Sequence, residues 1–164
     1  MIPKGKDMAF KKAKAYLETK GFANRIIETA HSSATVKEAA EALGCEPAMI
    51  AKTLSFLVNE RPVLILADGL TRIDNRKYKD TFGCKAKMIP PEQVEPLVGH
   101  EIGGVCPFGV NDGVTVYLDR SLKKHDIVYP AAGNDHSGVR MSIADLEECS
   151  GYKSWIDVSK EREE

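Results

Sequence analysis

The sequence predicts a single domain of mixed α/β (α+β) class, in which a curved, mainly antiparallel mixed sheet is flanked by short helices. Patterns typical of short helices alternate with patterns typical of short strands, but they do not form the regular strand–helix–strand units of a doubly wound fold. A length of 164 residues suits one domain, and a hydrophobic content of 43% is enough to build its core.

Helices are predicted where apolar residues recur at helical spacing or where a capping residue precedes such a run. Residues 7–20 have this spacing, and Gly21 ends them. Thr35 and Glu38 form a capping box, and the helix that they open ends at Gly44. Shorter helices are expected at Pro47, from Asp74 to Phe82, from Pro90 to Gly99 and from Ser142 to Leu146.

Strands are predicted at short alternating or β-branched runs, which are residues 25–30, 53–58, 62–67, 85–89, 114–118, 126–129, 139–143 and 155–158. Two segments that contain glycine, 103–109 and 133–138, are expected to be loops. Residues 1–30 supply the N-terminal helix and the first strand of the domain, residues 31–158 its main body, and residues 159–164 a frayed tail.

The composition disfavours several classes of protein. The formal net charge of −1 is unlike that of a strong DNA-binding domain. No apolar run approaches the roughly 20 residues that span a bilayer, and the N-terminus lacks the apolar segment of a secretory signal. The 4 cysteines are widely spaced, which favours reduced thiols over a zinc site. We therefore expect a cytoplasmic protein without metal or other cofactor, and with neither DNA nor a membrane as partner.

Lys52 is the first candidate for a functional site. We expect it at a junction between a helix and a strand, with apolar neighbours on both sides. A lysine charge at the edge of a core is costly unless an anion pairs with it, which would indicate a negatively charged ligand. A lysine whose head reaches water would leave the same pattern, and both interpretations stay open.

The loop 103–109 is the second candidate. Its closely spaced glycines and proline predict a tightly turned backbone with exposed N–H groups, which could hold an oxyanion or a water molecule. A β-turn without chemistry is an equal alternative. His31 and His136 lie in loops that could line a pocket, although a single loop histidine is more often plain surface.

Basic residues form a third candidate feature. The lysines of the first helix, together with Arg72, Arg76, Lys77 and Lys79, could form one surface that contacts the phosphates of RNA. A solvated helix face is the more common origin of such a charge run.

Five segments resemble, in the same order, the motifs of the YbaK-like editing domains that are associated with prolyl-tRNA synthetase. Each motif alone is weak, and their order makes the resemblance specific from about Thr35 to Leu146. The segments are Thr35–Gly44 (TxxEAAxxLG), Ile50–Leu54 (IxKTL), Gly103–Gly109 (the GxxxP loop), Val116–Asp119 (VxxD), and Ala132–Gly133 followed by Met141–Leu146.

The resemblance implies an editing domain over residues 31–158, which removes a wrong amino acid from tRNA by ester hydrolysis. This chain would then act in trans as a free-standing deacylase on mischarged tRNA, of the Cys- or Ala-tRNA(Pro) type, with prolyl-tRNA synthetase as a further partner. A catalytically silent module of the same fold that binds tRNA or a synthetase is the alternative. A small-molecule binder or hydrolase that reuses the pocket is a third possibility.

The resemblance also assigns roles to site residues. Lys52, Gly103 and Pro107 would be catalytic: the lysine would bind the terminal phosphate or ribose, and the loop backbone would hold the ester carbonyl or the attacking water. The terminal ribose hydroxyl of the substrate could help to activate that water. The residues that would contact the substrate are Thr53, Gly104, Cys106, Gly133, His136 and Ser137.

Two departures from the family pattern bear on the choice of substrate. Cys106 stands where serine or threonine is common, and the loop 134–138 replaces a more basic version. Both changes would alter the size and polarity of a pocket that selects among small amino acids. A nucleophilic role for Cys106 is disfavoured, because the sequence places no histidine demonstrably beside it.

Overall fold

The computed structural model describes residues 5–30, 32 and 35–161 of the chain. His31, one of the candidate residues, lies outside this part. The described residues form five α-helices, α1 (Gly5–Lys20), α2 (Val36–Leu43), α3 (Asn75–Phe82), α4 (Pro91–Val98) and α5 (Ile143–Cys149). Short 3₁₀ turns lie at Ala23–Arg25, Pro47–Met49 and Arg120–Lys124.

The strands are short and follow one another closely. They are β1 (Ile26–Glu28), β2 (Ala51–Val58), β3 (Arg61–Asp68), β4 (Thr71–Ile73), β5 (Thr115–Asp119), β6 (Ile127–Val128), β7 (Ser137–Val139), β8 (Met141–Ser142), β9 (Ser154–Ile156) and β10 (Ser159–Glu161).

Local sequence signals account for the helix boundaries. The hydroxyl of Thr35 accepts a hydrogen bond from the N–H of Glu38 at 3.1 Å, which confirms Thr35 as the N-cap of α2. Gly44 ends that helix with a φ of 70°, a left-handed conformation that suits glycine. At α5, which begins where the sequence predicts a short helix, Ser142 and Asp145 form a complete capping box.

A four-stranded sheet in the order β2–β3–β5–β9 forms the centre of the domain. β2 and β3 are antiparallel, whereas β5 is parallel to both β3 and β9. Asn59 and Glu60 connect β2 to β3 with positive φ values of 52° and 66°, as a two-residue hairpin turn requires. The other strands pair as antiparallel ladders, β1 with β7, β4 with β10 and β6 with β8.

The mixed α/β class and the single domain are confirmed, and the structure refines the strand prediction. The strands divide among a central sheet and separate two-stranded ladders rather than forming one sheet. Residues 85–89 form no strand, because only Met88 bridges to Phe56 before Pro90 interrupts the extended backbone. Thr71–Ile73 is a strand that the sequence pattern did not indicate.

The prediction of a frayed tail is wrong for its first part. Ser159–Glu161 form a strand that pairs antiparallel with β4. The hydroxyl of Ser159 also donates to the buried carboxylate of Asp119 at 2.6 Å. These bonds hold the chain in place through Glu161, and residues 162–164 lie outside the described part.

The two faces of the central sheet carry different helices. On one face, Leu64 and Leu66 pack in the same core as Ala13 and Leu17 of α1. On the other face, Ile65 packs with Tyr78 of α3 and with other residues of a second core. Since alternate residues of a strand point to opposite faces, α1 and α3 lie on opposite sides of the sheet. The basic residues of these two helices therefore do not form the single surface that was hypothesised.

No helix in the described part of the chain is long and apolar enough to cross a membrane.

Candidate functional site

A cavity of about 350 Å³ lies along the outer edge of β2. Strand β2 is at the end of the central sheet, so only one of its edges pairs with a neighbouring strand over its full length. The other walls come from α2, the start of α4, the first half of the loop 103–109 and residues 129–131. Most of the lining side chains are apolar, and no carboxylate or imidazole lies among the described lining residues.

The outer edge of β2 is bonded on both sides of the cavity. At one end, the N–H of Ala51 donates to the carbonyl of Tyr129 at 3.1 Å. At the other end, the carbonyl of Ser55 accepts from the N–H of Ile89 at 3.1 Å. Thr53 lies midway between these two positions and lines the cavity. The cavity thus occupies an interruption in the pairing of an edge strand.

Lys52 is the second residue of β2 and follows the 3₁₀ turn Pro47–Met49 by three residues, so it lies at the start of the strand, next to the helix–strand junction that the sequence suggested. It pairs with Ala67 of β3, and its partly buried side chain lines the cavity. The ammonium donates to the carbonyl of Thr71 and is 3.5 Å from the carbonyl of Gly69. Backbone carbonyls of the turn between β3 and β4 therefore fix the position of this charge.

That turn is itself held by a buried carboxylate that sequence reasoning did not single out. Asp68 is fully buried, and its Oδ1 accepts from the N–H of Leu70 at 2.7 Å. Its Oδ2 is 2.6 Å from Nε2 of His125 and 3.2 Å from the ammonium of Lys124. The partners of this carboxylate, Lys124 and His125, are more than fifty residues away along the chain, so no local pattern indicates them.

The first residues of the loop 103–109 face the cavity. Gly103 lines it and has a φ of 95°, which a side chain would strain. Gly104 is buried, and a Cβ there would lie 2.5 Å from the backbone nitrogen of Asn134. Gly104 therefore allows the two glycine-containing loops to pack against each other and is not part of the cavity wall.

The second half of the same loop turns into the core. Cys106 is fully buried, with its Sγ 3.6 Å from Nε2 of His100 and 3.7 Å from the carbonyl of Phe108. Burial raises the pKa of the Cys106 thiol to about 12, so it stays protonated at neutral pH. Pro107 is buried beside it and does not reach the cavity.

A histidine does lie beside Cys106, contrary to the expectation from sequence spacing. His100 is fully buried, and its Nε2 donates to the carbonyl of Phe108 at 2.7 Å. Burial lowers the pKa of His100, and the nearby Lys12 acts in the same direction. A neutral imidazole beside a neutral thiol is not an activated nucleophile, and both groups are shut off from the cavity.

The loop 133–138 contributes less to the cavity than expected. Gly133 is buried against α1, where a Cβ would lie 2.6 Å from the carbonyl of Ala9. His136 lies outside the cavity and bonds within its own loop, with Nδ1 3.1 Å from Oδ1 of Asp135. Ser137 does line the cavity, but its hydroxyl donates to Oδ1 of Asn134 at 2.6 Å.

The structure therefore divides the predicted site residues into two groups. Those on the cavity wall are Lys52, Thr53, Gly103 and Ser137. Those placed elsewhere are Gly104, Cys106, Pro107, Gly133 and His136. For Cys106, which is fully buried away from the cavity, the placement overturns the expectation that its side chain contacts the substrate.

One wall of the cavity was not predicted from the sequence. It consists of apolar residues of α2, including Val36, Ala39 and Leu43, together with Tyr129 and the residues after it. The helical spacing of the α2 residues signalled an apolar face, and such a face is ordinarily read as core. Only the position of α2 beside the edge of β2 makes it a cavity wall.

Comparisons with known proteins agree with this geometry. A family model of aminoacyl-tRNA editing domains matches residues 30–149. The uncharacterized protein YwhH of Bacillus subtilis (strain 168) is 43% identical over 157 residues, which is 95% of this chain and 100% of YwhH. A solved structure of a protein proposed to be a trans-editing enzyme for prolyl-tRNA synthetase superimposes with a TM-score of 0.83 at 32% identity, over 93% of this chain and 97% of the other.

The relatives also include part of a much larger enzyme. The proline–tRNA ligase of Geobacillus sp. (strain WCH70) is 30% identical over 117 residues, which is 70% of this chain and 20% of the ligase. The chain thus spans about a fifth of the length of that ligase.

Proposed function

The chain belongs to the aminoacyl-tRNA editing domain family, and on this premise we propose that it is a deacylase that hydrolyses the ester bond of mischarged tRNA in trans. The observation that carries the proposal is the cavity on the free edge of β2, where Lys52 and Gly103, from two separate motifs, line one space. Action in trans is supported by the likeness to YwhH over its whole length and to the trans-editing candidate.

Lys52 is proposed to bind the negatively charged end of the tRNA. Its ammonium acts as a point charge for the terminal phosphate or the ribose. The carbonyls of Gly69 and Thr71 hold the ammonium at the wall, so little side-chain entropy is lost when the substrate binds.

Catalysis is proposed to rest on positioning rather than on a protein base. The described lining residues offer no carboxylate or imidazole, so the terminal ribose hydroxyl of the substrate is the best available group to activate water. The backbone at Gly103, held in a left-handed conformation, positions the ester carbonyl or the attacking water.

The proposed substrates are tRNAs charged with a small amino acid, of the Cys- or Ala-tRNA(Pro) type. The mainly apolar walls of a cavity of about 350 Å³ can accept a small apolar side chain. A missing methylene in such a pocket changes binding by only about 1–3 kcal/mol, so we expect partial discrimination between neighbouring amino acids. Mischarged tRNA is the main partner, prolyl-tRNA synthetase a further one, and the cytoplasm the place of action.

The test is deacylation of tRNA(Pro) charged with alanine, serine, threonine or cysteine, compared for the wild type and Lys52→Ala. We expect turnover of at least one of these by the wild type and a loss of about 100-fold in the variant, as for removal of a key electrostatic contact. Lys160→Ala, which removes an exposed lysine on β10, is the matched control.

Lys52→Ala should also cost stability, because it leaves the buried carbonyl of Thr71 without its donor. We expect a loss of about 1–3 kcal/mol, so rates are compared at a temperature where both proteins are folded. Binding of all four charged tRNAs by the wild type without turnover would favour the silent binding module instead.

A further inference from the structure

At Thr53, the outer edge of β2 makes no backbone pairing with any described residue. Along a strand, alternate residues direct their N–H and C=O groups to the same edge. Ala51 uses its outward N–H in the bond to Tyr129, and Ser55 uses its outward carbonyl in the bond from Ile89. Thr53 has the same parity, so its N–H and C=O also point outward, into the stretch of edge that the cavity occupies.

The side chain of Thr53 adds a second, independent observation. Its Oγ1 is buried and has no hydrogen-bond partner among the described residues. A buried hydroxyl without a partner is unfavourable in the free protein, and a bound ligand could supply the missing bond. Backbone and side chain of this one residue thus both offer unused hydrogen-bonding groups at the cavity.

We propose that Thr53 pairs with the aminoacyl group of the substrate as two facing residues pair in an antiparallel sheet. The α-amino group donates to the carbonyl of Thr53, and the acyl carbonyl accepts from its N–H. An aminoacyl ester carries these two groups on a single residue, which is what a hydrogen-bonded antiparallel pair requires. The inference rests on the proposed function and names the residue that holds the reacting ester.

The length of the interruption limits the ligand to one residue. Between the N–H of Ala51, which is bonded to Tyr129, and the carbonyl of Ser55, which is bonded to Ile89, Thr53 is the one residue of the described edge with neither its N–H nor its carbonyl in a backbone bond. A peptide that added a strand to this edge would need outward groups at two or more successive positions. The edge therefore suits a single aminoacyl group and not an extended peptide.

The pairing also directs the side chain of the bound amino acid. Facing residues of an antiparallel pair place their side chains on the same face of the sheet. Thr53 has the parity of Ala51, which packs in the core on the α1 side of the sheet. The bound side chain would therefore point toward the apolar wall that Val94 and Val105 help to form, with Oγ1 of Thr53 beside it.

Hydrogen exchange of single backbone amides, measured by NMR on the wild-type protein, tests the backbone contact. The probes are non-hydrolysable 3′-alanylamino- and 3′-serylamino-3′-deoxyadenosine, and 3′-propionylamino-3′-deoxyadenosine, which keeps the acyl carbonyl but lacks the amine. We expect saturation with either free-amine probe to slow exchange at Thr53 at least about tenfold. The amide of Leu57, already bonded to Lys87, should change little. The propionyl probe should bind at least about tenfold more weakly, because it has no amine to donate to the carbonyl of Thr53.

Unchanged exchange at Thr53 with bound probe, equal binding of the propionyl compound, or no binding of either free-amine probe would each overturn the inference. These readouts do not require turnover. The proposed deacylase activity is tested separately, by the assay with charged tRNA.

Thr53→Val tests the hydroxyl, and Thr115→Val on β5, away from the cavity, is the matched control. Removing a buried hydroxyl that lacks a partner should raise the melting temperature, while affinity for the seryl probe falls about fivefold. A hydroxyl with a purely structural role would give a lower melting temperature in Thr53→Val, and that result, or unchanged affinity, would contradict the assignment. Thr115→Val should leave the affinity unchanged.

Discussion

The edge of β2 and the loop 103–109 both stand out in the sequence, yet they meet the cavity in different ways. β2 brings the adjacent residues Lys52 and Thr53 to the cavity, one from each face of the strand. The loop brings only its first residues, while Cys106 and Pro107 turn into the core. An edge strand keeps its groups at regular spacing along one line, whereas a tight loop can bury half of its length.

We therefore expect the β2 edge and the loop 103–109 to have different roles. The β2 edge supplies the charge and the free hydrogen-bonding groups, and the loop supplies one wall and an anchor in the core. The predictions below test how the residues of the two glycine-containing loops, and His100 beside them, contribute to stability and turnover, from the largest expected effect to the smallest.

Gly104→Ala should have the largest effect on the fold. The added Cβ would lie 2.5 Å from the backbone nitrogen of Asn134, and backbone on both sides leaves little room to adjust. We expect a loss of about 3 kcal/mol in the free energy of unfolding, measured by urea denaturation. Gly113→Ala is the control, since its added Cβ meets no atom within 4 Å, and its φ of 91° adds a backbone strain that Gly104, whose φ is not positive, does not have. Equal stability of the two variants would mean that the contact between the loops is not tight.

Cys106→Ala should separate the fold from the chemistry. Truncation of this buried side chain leaves a small void and should cost about 1–2 kcal/mol of stability. Because the protonated thiol lies outside the cavity, the rate of the folded variant should stay close to that of the wild type. If the variant were fully folded and still lost turnover, Cys106 would belong to the functional site, contrary to the roles proposed above.

The free energy of unfolding should also depend on pH through His100, whose imidazole donates to the carbonyl of Phe108 in the buried half of the loop 103–109. Burial lowers the pKa of this imidazole in the folded protein below its ordinary value of about 6.5. As the pH falls below about 6.5, the unfolded chain takes up a proton that the folded protein does not, so stability decreases. One such group contributes at most about 1.4 kcal/mol per pH unit.

His100→Gln tests this assignment, because a glutamine amide can still donate to the carbonyl of Phe108 but does not titrate. The free energy of unfolding, measured between pH 7.5 and 5.5, should decline less steeply in the variant than in the wild type. Identical slopes would show that other groups cause the pH dependence.

His136→Ala should have the smallest effect. Among the described residues, the imidazole bonds to Asn134 and Asp135 of its own loop, and it does not line the cavity, so we expect stability to change by less than about 0.5 kcal/mol. The relative rates for tRNA(Pro) charged with alanine, serine, threonine and cysteine should stay the same. A change in the order of these rates would place His136 in the choice of substrate after all.

Much of the fold followed from local patterns. The caps Thr35, Asp74 and Ser142 and the helix ends at Gly44 and Gly83 lie where the sequence indicated them. Segments with weaker patterns were less predictable. β4 and β10 are three residues each and are strands only because they pair with each other. Their hydrogen bonds join parts of the chain almost ninety residues apart, which no local pattern encodes.

The sequence by itself determined the helix boundaries, the mixed class and the two segments that border the cavity, because these depend on interactions within a few residues. Only the tertiary structure decided which side of each segment faces the cavity. The side chain of Cys106 points into the core, where its Sγ contacts His100 and the carbonyl of Phe108. The carboxylate of Asp68 is held by its contact with His125. Thr53 has free edge groups because β2 ends the sheet. Each of these outcomes depends on contacts between segments that are apart in the chain, and such contacts exist only once the chain has folded.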